Sequence, residues 1–297
     1  MAPKNAVMLF VCALIWGTAF VAQSLGNGFM GPITFQAIRS VLGSLTLAPF
    51  VIARRDKVLE GESGKVRADR RKATIAGGAA TGFFLCSASI LQQTAMISTD
   101  VGKCGFITAL YIVLVPVLAY ALGRKSGIKL WISVAIAAVG LYLLCVSGTM
   151  AFGASDLMLV GCAFLFACQI LSIDHFVRFA DGIELSFAEF LFSAVFSFVL
   201  AFLLEKPAEA DIAGGLLPLI YAGVFSSGIA YTLQILGQRG QDPAVSSLIM
   251  SLESVISVIA GWLLLGQRLS LRELLGCAFM FTAVVLAQLP EKTRVQT

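Results

Sequence analysis

A chain of 297 residues with 58% hydrophobic and only 13% charged side chains is too apolar for a soluble globular protein, so composition alone makes it an integral membrane protein. Its formal net charge of +4 does not point to nucleic acid, because the basic 54–72 loop is interspersed with Asp56, Glu60, Glu62 and Asp69 and reads as an anchor beside anionic membrane lipid. Apolar runs of roughly 20 residues, enough to cross about 30 Å of hydrocarbon, exclude a β-barrel, whose strands are short and alternate in polarity.

The first run, 6 to 25, follows Lys4 and resembles a secretory signal, but it outlasts a signal core and nine similar runs follow, so it reads as an uncleaved helix. It carries Trp16 at midplane depth and Gln23 one heptad later. The second, 32 to 53, carries Arg39, placed either to bind a substrate carboxylate or to cap helix carbonyls. The third, 73 to 96, holds Gly78-xxx-Gly82, a close-packing device, and then Ser89, Gln92 and Gln93. The fourth, 100 to 122, has Lys103 near one end, suited to snorkelling or to a charge role, Tyr111 near its centre, and Pro116, which predicts a kink or hinge.

The fifth run, 129 to 147, is uniformly apolar, and the sixth, 155 to 175, brings Phe166 with Gln169 one turn later and ends near Asp174-His175. The seventh, 184 to 204, contains Glu189. In the eighth, 215 to 236, Ser227, Tyr231, Gln234 and Gln238 recur at i, i+4, i+7 and i+11, which predicts one polar face on a continuous helix. The ninth, 243 to 265, holds Glu253 at midplane depth, and the tenth spans 270 to 289. An acidic residue at the bilayer centre costs about 2.5 to 3.5 kcal/mol. Glu253 must therefore face a wet cavity, pair with a cation or be protonated, and it is a candidate substrate-amine or proton site.

Placing the N-terminus inside puts sixteen Lys and Arg on the inner side and leaves Lys206, Arg268 and Arg272 outside, so both termini are expected in the cytoplasm. A segment also occurs twice, 142 residues apart: Leu91-Gln92 through Asp100 to Tyr111 lies over Leu233-Gln234 through Asp242 to Glu253. Five spans per copy invert the second relative to the first. The expected fold is all-α, with ten transmembrane helices as two inverted five-helix repeats, 6–148 and 154–290, and a site at their shared interface near the midplane. Helical rise places Gln92 and Gln234 toward opposite mouths of one pathway. Arg39 and Glu189, equivalent at an offset of 150, fall at opposite depths and are not expected to pair, while Trp16 and Phe166, at the same offset, suit an aromatic cavity floor.

The seven cysteines all lie within the runs without metal-ligand spacing and read as reduced structural thiols; no metal, nucleotide or cofactor motif is present. Asp174-His175 is the one candidate for a membrane-embedded enzyme.

Several stretches resemble a known family. Val101-Gly-Lys-Cys-Gly-Phe-Ile-Thr-Ala-Leu-Tyr-Ile-Val-Leu-Val-Pro116, Trp16-Gly-Thr-Ala-Phe20, Leu252-Glu-Ser-Val255 and Leu265-Gly-Gln267 look like the two repeats of the EamA family in the drug/metabolite transporter superfamily. The resemblance covers nearly the whole chain and implies multi-pass residence in the bacterial inner membrane and export or uptake of small metabolites such as amino acids. It places Glu253 on the family's ninth-helix carboxylate. Ser254 stands where a proline is usual and Gln267 where a glutamate is usual, so no charge role carries over to Gln267. The reading is a secondary transporter, not an enzyme, working by alternating access. Trp16, Gln92, Tyr111, Gln169, Tyr231, Gln234 and Glu253 meet a small amphipathic substrate, and Arg39, Lys103 and Glu253 are candidates for charge or coupling roles. The competing readings are an uncoupled facilitator and the membrane-embedded enzyme; the oligomeric state is open between monomer and homodimer.

Overall fold

The computed structural model describes residues 1–59, 63–99, 101–124, 126–145, 153–207, 210–265 and 270–289. In hydrocarbon every backbone N–H and C=O needs a partner within the protein, and a helix supplies it locally. The described residues accordingly form helices joined by short turns. α1 (Pro3–Gly26), α2 (Pro32–Leu59), α3 (Gly64–Ala95), α6 (Ile128–Cys145), α7 (Ala154–Phe176), α8 (Gly182–Leu204) and α13 (Leu271–Gln288) are unbroken. The fourth run divides into α4 (Val101–Thr108) and α5 (Tyr111–Ala121), and the ninth into α11 (Pro243–Met250) and α12 (Glu253–Leu265). The eighth is α9 (Leu216–Ile220), a π-helical stretch (Tyr221–Ala230) and α10 (Tyr231–Gln238). Among the described residues nine runs are long and apolar enough to cross a membrane, with Ile128–Leu143 a shorter tenth. The predicted junction of the halves falls largely on residues 146–152, which lie outside the described residues, as do the predicted end at 290, Asp100 and Gln267.

Helix starts follow side-chain chemistry. Ser63, Asp181 and Asp242 accept hydrogen bonds from the first free N–H groups of α3, α8 and α11, and Ser270 with Glu273 forms a reciprocal capping box on α13.

The break in the fourth run comes one turn before Pro116, the residue at which a kink or hinge was expected. Pro116 sits inside α5, and the backbone ladder changes one turn earlier, where Leu110 N–H bonds the carbonyl of Ile107 and Ile112 N–H that of Ala109, both at three-residue spacing. A proline removes the bond from its own nitrogen and crowds the carbonyl four residues back, which is that of Ile112, at the edge of this break. The ninth run repeats the pattern 142 residues on, with Leu252 bonded to Ile249 and Ser254 to Ser251. There Ser254 donates one of these bonds itself, so proline is not the cause. Both breaks hand the chain to a new segment that opens on Tyr111 or Glu253.

The helix α2 runs antiparallel to α8 and is fastened to it along its length. At one end Glu205 accepts hydrogen bonds from Ile33 N, Thr34 N and Thr34 Oγ1 at 2.7 to 2.9 Å, a carboxylate held on the positive end of α2. At the other, Arg54 lies 3.7 Å from Asp181. Between them Gln36, Ser40 and Ser193 share hydrogen bonds of 3.0 to 3.3 Å. The helix α3 packs on α7 and α8, α1 on α10, α12 and the π-helical stretch, and α6 on α13. The predicted Gly78-xxx-Gly82 device is the α3–α8 contact: Gly78 faces Ala188, and a Cβ at Gly82 would lie 2.6 Å from the Glu189 carbonyl oxygen. Gly82→Val should therefore lower stability by about 1–3 kcal/mol through overpacking, read as a lower unfolding midpoint of the detergent-solubilised protein; a midpoint equal to the wild type would contradict this packing.

Candidate functional site

The breaks in the fourth and ninth runs lie against a small cavity between the helices, with Thr108, Tyr111 and Glu253 on its lining. The sequence-predicted residues Trp16, Gln92, Tyr111, Gln169, Tyr231, Gln234 and Glu253 all line it, and Arg39 lines it as well. Aromatic side chains make one wall. Trp16 and Tyr231 stand with ring centroids 4.6 Å apart, and Tyr231 in turn meets Phe190 edge-on at 5.4 Å. The expected floor of Trp16 and Phe166 is present, and Gln23 lies with them on the lining. The Trp16 Nε1 group is buried without a hydrogen-bond partner among the described residues.

Two ionisable side chains define the electrostatics. Arg39, 3% exposed, donates from Nη1 to Gln23 Oε1 at 3.0 Å and from Nε to Ser227 Oγ at 3.2 Å, and no carboxylate pairs with it among the described residues. Glu253, 4% exposed, accepts one hydrogen bond on Oε1 from the Tyr111 hydroxyl at 3.1 Å and likewise has no cationic partner among the described residues. Gly17 allows α1 to approach this point: a Cβ there would lie 2.6 Å from the Glu253 carbonyl oxygen. The lining thus presents a guanidinium and a carboxyl group, each without a counter-ion.

Amides fill the remaining positions. Gln92 Nε2 donates to Thr108 Oγ1 at 3.1 Å. Gln234 Nε2 donates to Gln169 Oε1 at 3.2 Å, while Gln169 Nε2 donates to Glu189 Oε1 at 2.8 Å. Gln92 and Gln234 therefore share one cavity rather than marking opposite mouths. Helical rise fixes a Cα along its own axis only, and a long amide side chain spans the difference. Glu189 and Arg39 are not paired with each other, as expected.

Other expectations shift. Lys103 does not reach the cavity; it bonds Asp156 at 2.7 to 2.8 Å, tying α4 to the start of α7. Asp174 does not pair with His175. Its carboxylate takes Arg124 and Arg178, and the His175 ring packs on Phe176 and Phe179. The six cysteines whose side chains are described are free thiols; that of Cys145 lies outside the description.

Phe20, Thr108, Ser226 and Ile170 also line the cavity and were not anticipated. Phe20 and Thr108 lie one turn from Trp16 and Tyr111, and that spacing could have found them. Ser226 could not be found that way, because the wider turn of the π-helical stretch changes the phase, turning Ser226 to the cavity and Ser227 to Arg39.

A model of the EamA-like transporter family matches residues 4–146 and 153–289. A curated protein of Archaeoglobus fulgidus described as an uncharacterized transporter is 27% identical over 290 residues, covering 95% of this chain and 84% of that protein. The uncharacterized inner membrane transporter YedA of Escherichia coli is 22% identical over 289 residues, covering 95% and 89%. One solved crystal structure superposes with a TM-score of 0.77 at 17% identity, covering 97% of each chain, which shows a shared fold.

The amide relay predicts a non-additive pair of substitutions. Gln169→Leu should cost about 1–3 kcal/mol by leaving buried groups on Glu189 and Gln234 unpaired. Adding Gln234→Leu should cost less than Gln234→Leu does alone, since the second partner is then already lost. Thermal unfolding of the four proteins in detergent checks this.

Proposed function

The chain belongs to the EamA-like transporter family, and from that membership we propose that this multi-pass membrane protein is a secondary transporter moving small zwitterionic, amphipathic metabolites of the amino-acid class by alternating access. The observation that carries the reading is the pair of uncompensated groups on one cavity. Arg39, bonded only to neutral Gln23 and Ser227, suits a substrate carboxylate, and Glu253, bonded only to Tyr111, suits a substrate ammonium. The aromatic wall of Trp16, Tyr111, Phe166 and Tyr231 suits an apolar side chain between them. Gln92, Gln169 and Gln234 supply orienting hydrogen bonds.

Alternating access in such folds rests on inverted repeats rocking about a shared site. The two helix breaks at the same offset support this reading, as does the antiparallel pairing of α2 with its counterpart α8. So does the contact of Tyr111 with Glu253, because residues equivalent by a two-fold axis touch each other only on that axis. The end bearing Arg54 and Arg70 is assigned to the cytoplasm with both termini, in a bacterial inner membrane.

The test uses purified protein in proteoliposomes loaded with an equimolar mixture of the twenty common L-amino acids, with release followed by mass spectrometry. Wild type is expected to release a subset faster than protein-free vesicles, with preference for apolar side chains. Arg39→Ala and Glu253→Gln should each slow that release at least about tenfold, the loss of one charge-assisted contact worth about 1.5–3 kcal/mol. Release equal to protein-free vesicles, or unchanged by both substitutions, overturns the reading.

A further inference from the structure

Resting on that transporter reading, we propose that Glu189 is a proton-binding site of the transport cycle, distinct from Glu253 and linked to the cavity through Gln169 and Gln234. Glu189 is fully buried on α8 and is not part of the cavity lining. Its Oε1 accepts the 2.8 Å hydrogen bond from Gln169, whereas Oε2 has no partner among the described residues. Carboxyl groups inside apolar spans, without a cation, mark proton relays. Here Oε2 is the free position: the Oε2–H bond forms as an O–H bond of a hydronium ion breaks on one side of the cycle, and on the other side the proton passes back to a water molecule.

The surroundings explain how cargo and proton influence each other. The charged and titratable groups on the helices around α8 are Arg39 of α2, bonded to Ser227, Cys86 of α3, whose thiol meets Ser197 about two turns along α8, and Tyr231 of α10, whose ring meets Phe190, with Glu253 on the cavity beyond. Arg39 is thus the one cation in this group. Its guanidinium is bonded to Gln23 and Ser227 and not to Glu189, so cargo and proton influence each other through hydrogen bonds, and by linkage the influence is reciprocal. The amides supply this route. Gln234 lines the cavity and donates to the same Gln169 whose amino group holds Glu189. A cargo that engages Gln234 alters the hydrogen bond at Glu189.

Infrared pH-difference spectra of the full-length protein in liposomes without cargo test this, taken across the pH range in which the protein stays folded. Wild type and Glu253→Gln are expected to gain a protonated-carboxyl band on acidification that Glu189→Gln lacks. In Gln234→Leu its midpoint should move by about half a pH unit or more, roughly a threefold change in proton affinity. A spectrum of Glu189→Gln identical to wild type, or an unmoved midpoint in Gln234→Leu, overturns the proposal. Should Glu189→Gln fail to fold, Glu189→Asp is expected to shift the band, and an unshifted band counts against the proposal. These spectra need no cargo, so their failure is separable from failure of the vesicle assay.

Discussion

A carboxyl group in the middle of a hydrocarbon-spanning helix is the constraint around which this protein is arranged. Glu253 has one hydrogen bond, from Tyr111, and the two stand at the start of the second segments of two broken helices. Each break tightens the backbone ladder for a turn, which sets the following segment off from the one before it. Gly17 removes the side chain that would keep α1 away, and Trp16, its neighbour, closes on Tyr231. A larger residue at 17 or a continuous helix through 251–252 would leave the carboxyl group without this setting. The cavity exists because the chain gives up helix regularity and side-chain bulk at the same depth.

The periphery of α7 is organised by charge in a different way. Its first turn offers Asp156 to Lys103 and to the Gly153 N–H, and its last offers Asp174 to Arg124 and Arg178. Lys103 lies on α4 and Arg124 just beyond α5, so the two segments of one broken helix are fastened to opposite ends of one unbroken neighbour. Such pairs, partly open to solvent, contribute modestly to stability. Their effect is geometric: the break between α4 and α5 lies between two points tied to one unbroken span.

Much of this was legible in the sequence, and the parts that were not share physical causes. Ten apolar runs gave ten helical stretches because length and hydropathy alone decide what can satisfy its backbone in lipid. The 142-residue offset singled out Tyr111 and Glu253 from the many polar residues in the spans, and these two touch. The same offset misled for Gln92 and Gln234, since depth along an axis says nothing of how far a flexible side chain reaches inward. Pro116 was the visible helix breaker in the fourth run, but the ninth run breaks at the equivalent place without a proline, at Ser251 and Leu252, whose composition signals nothing. Periodicity also assumed one helical phase through the eighth run, and the π-helical stretch voided that assumption for Ser226 and Ser227. Pairing across helices, such as Asp174 with two arginines instead of its sequence neighbour His175, is set by packing that no local pattern encodes.

The fastening of α2 to α8 carries a mechanical consequence. Three hydrogen bonds to Glu205 at one end, an ion pair at the other and the serine and glutamine contacts between them fix the axial register of the two helices. A slip of a single residue, about 1.5 Å, would misalign every one of these contacts together. The pair therefore behaves as a strut that resists sliding and tolerates only small tilts. The interrupted helices beside Glu253 lie outside this strut, so the rigid and the irregular parts of the fold are built from different spans.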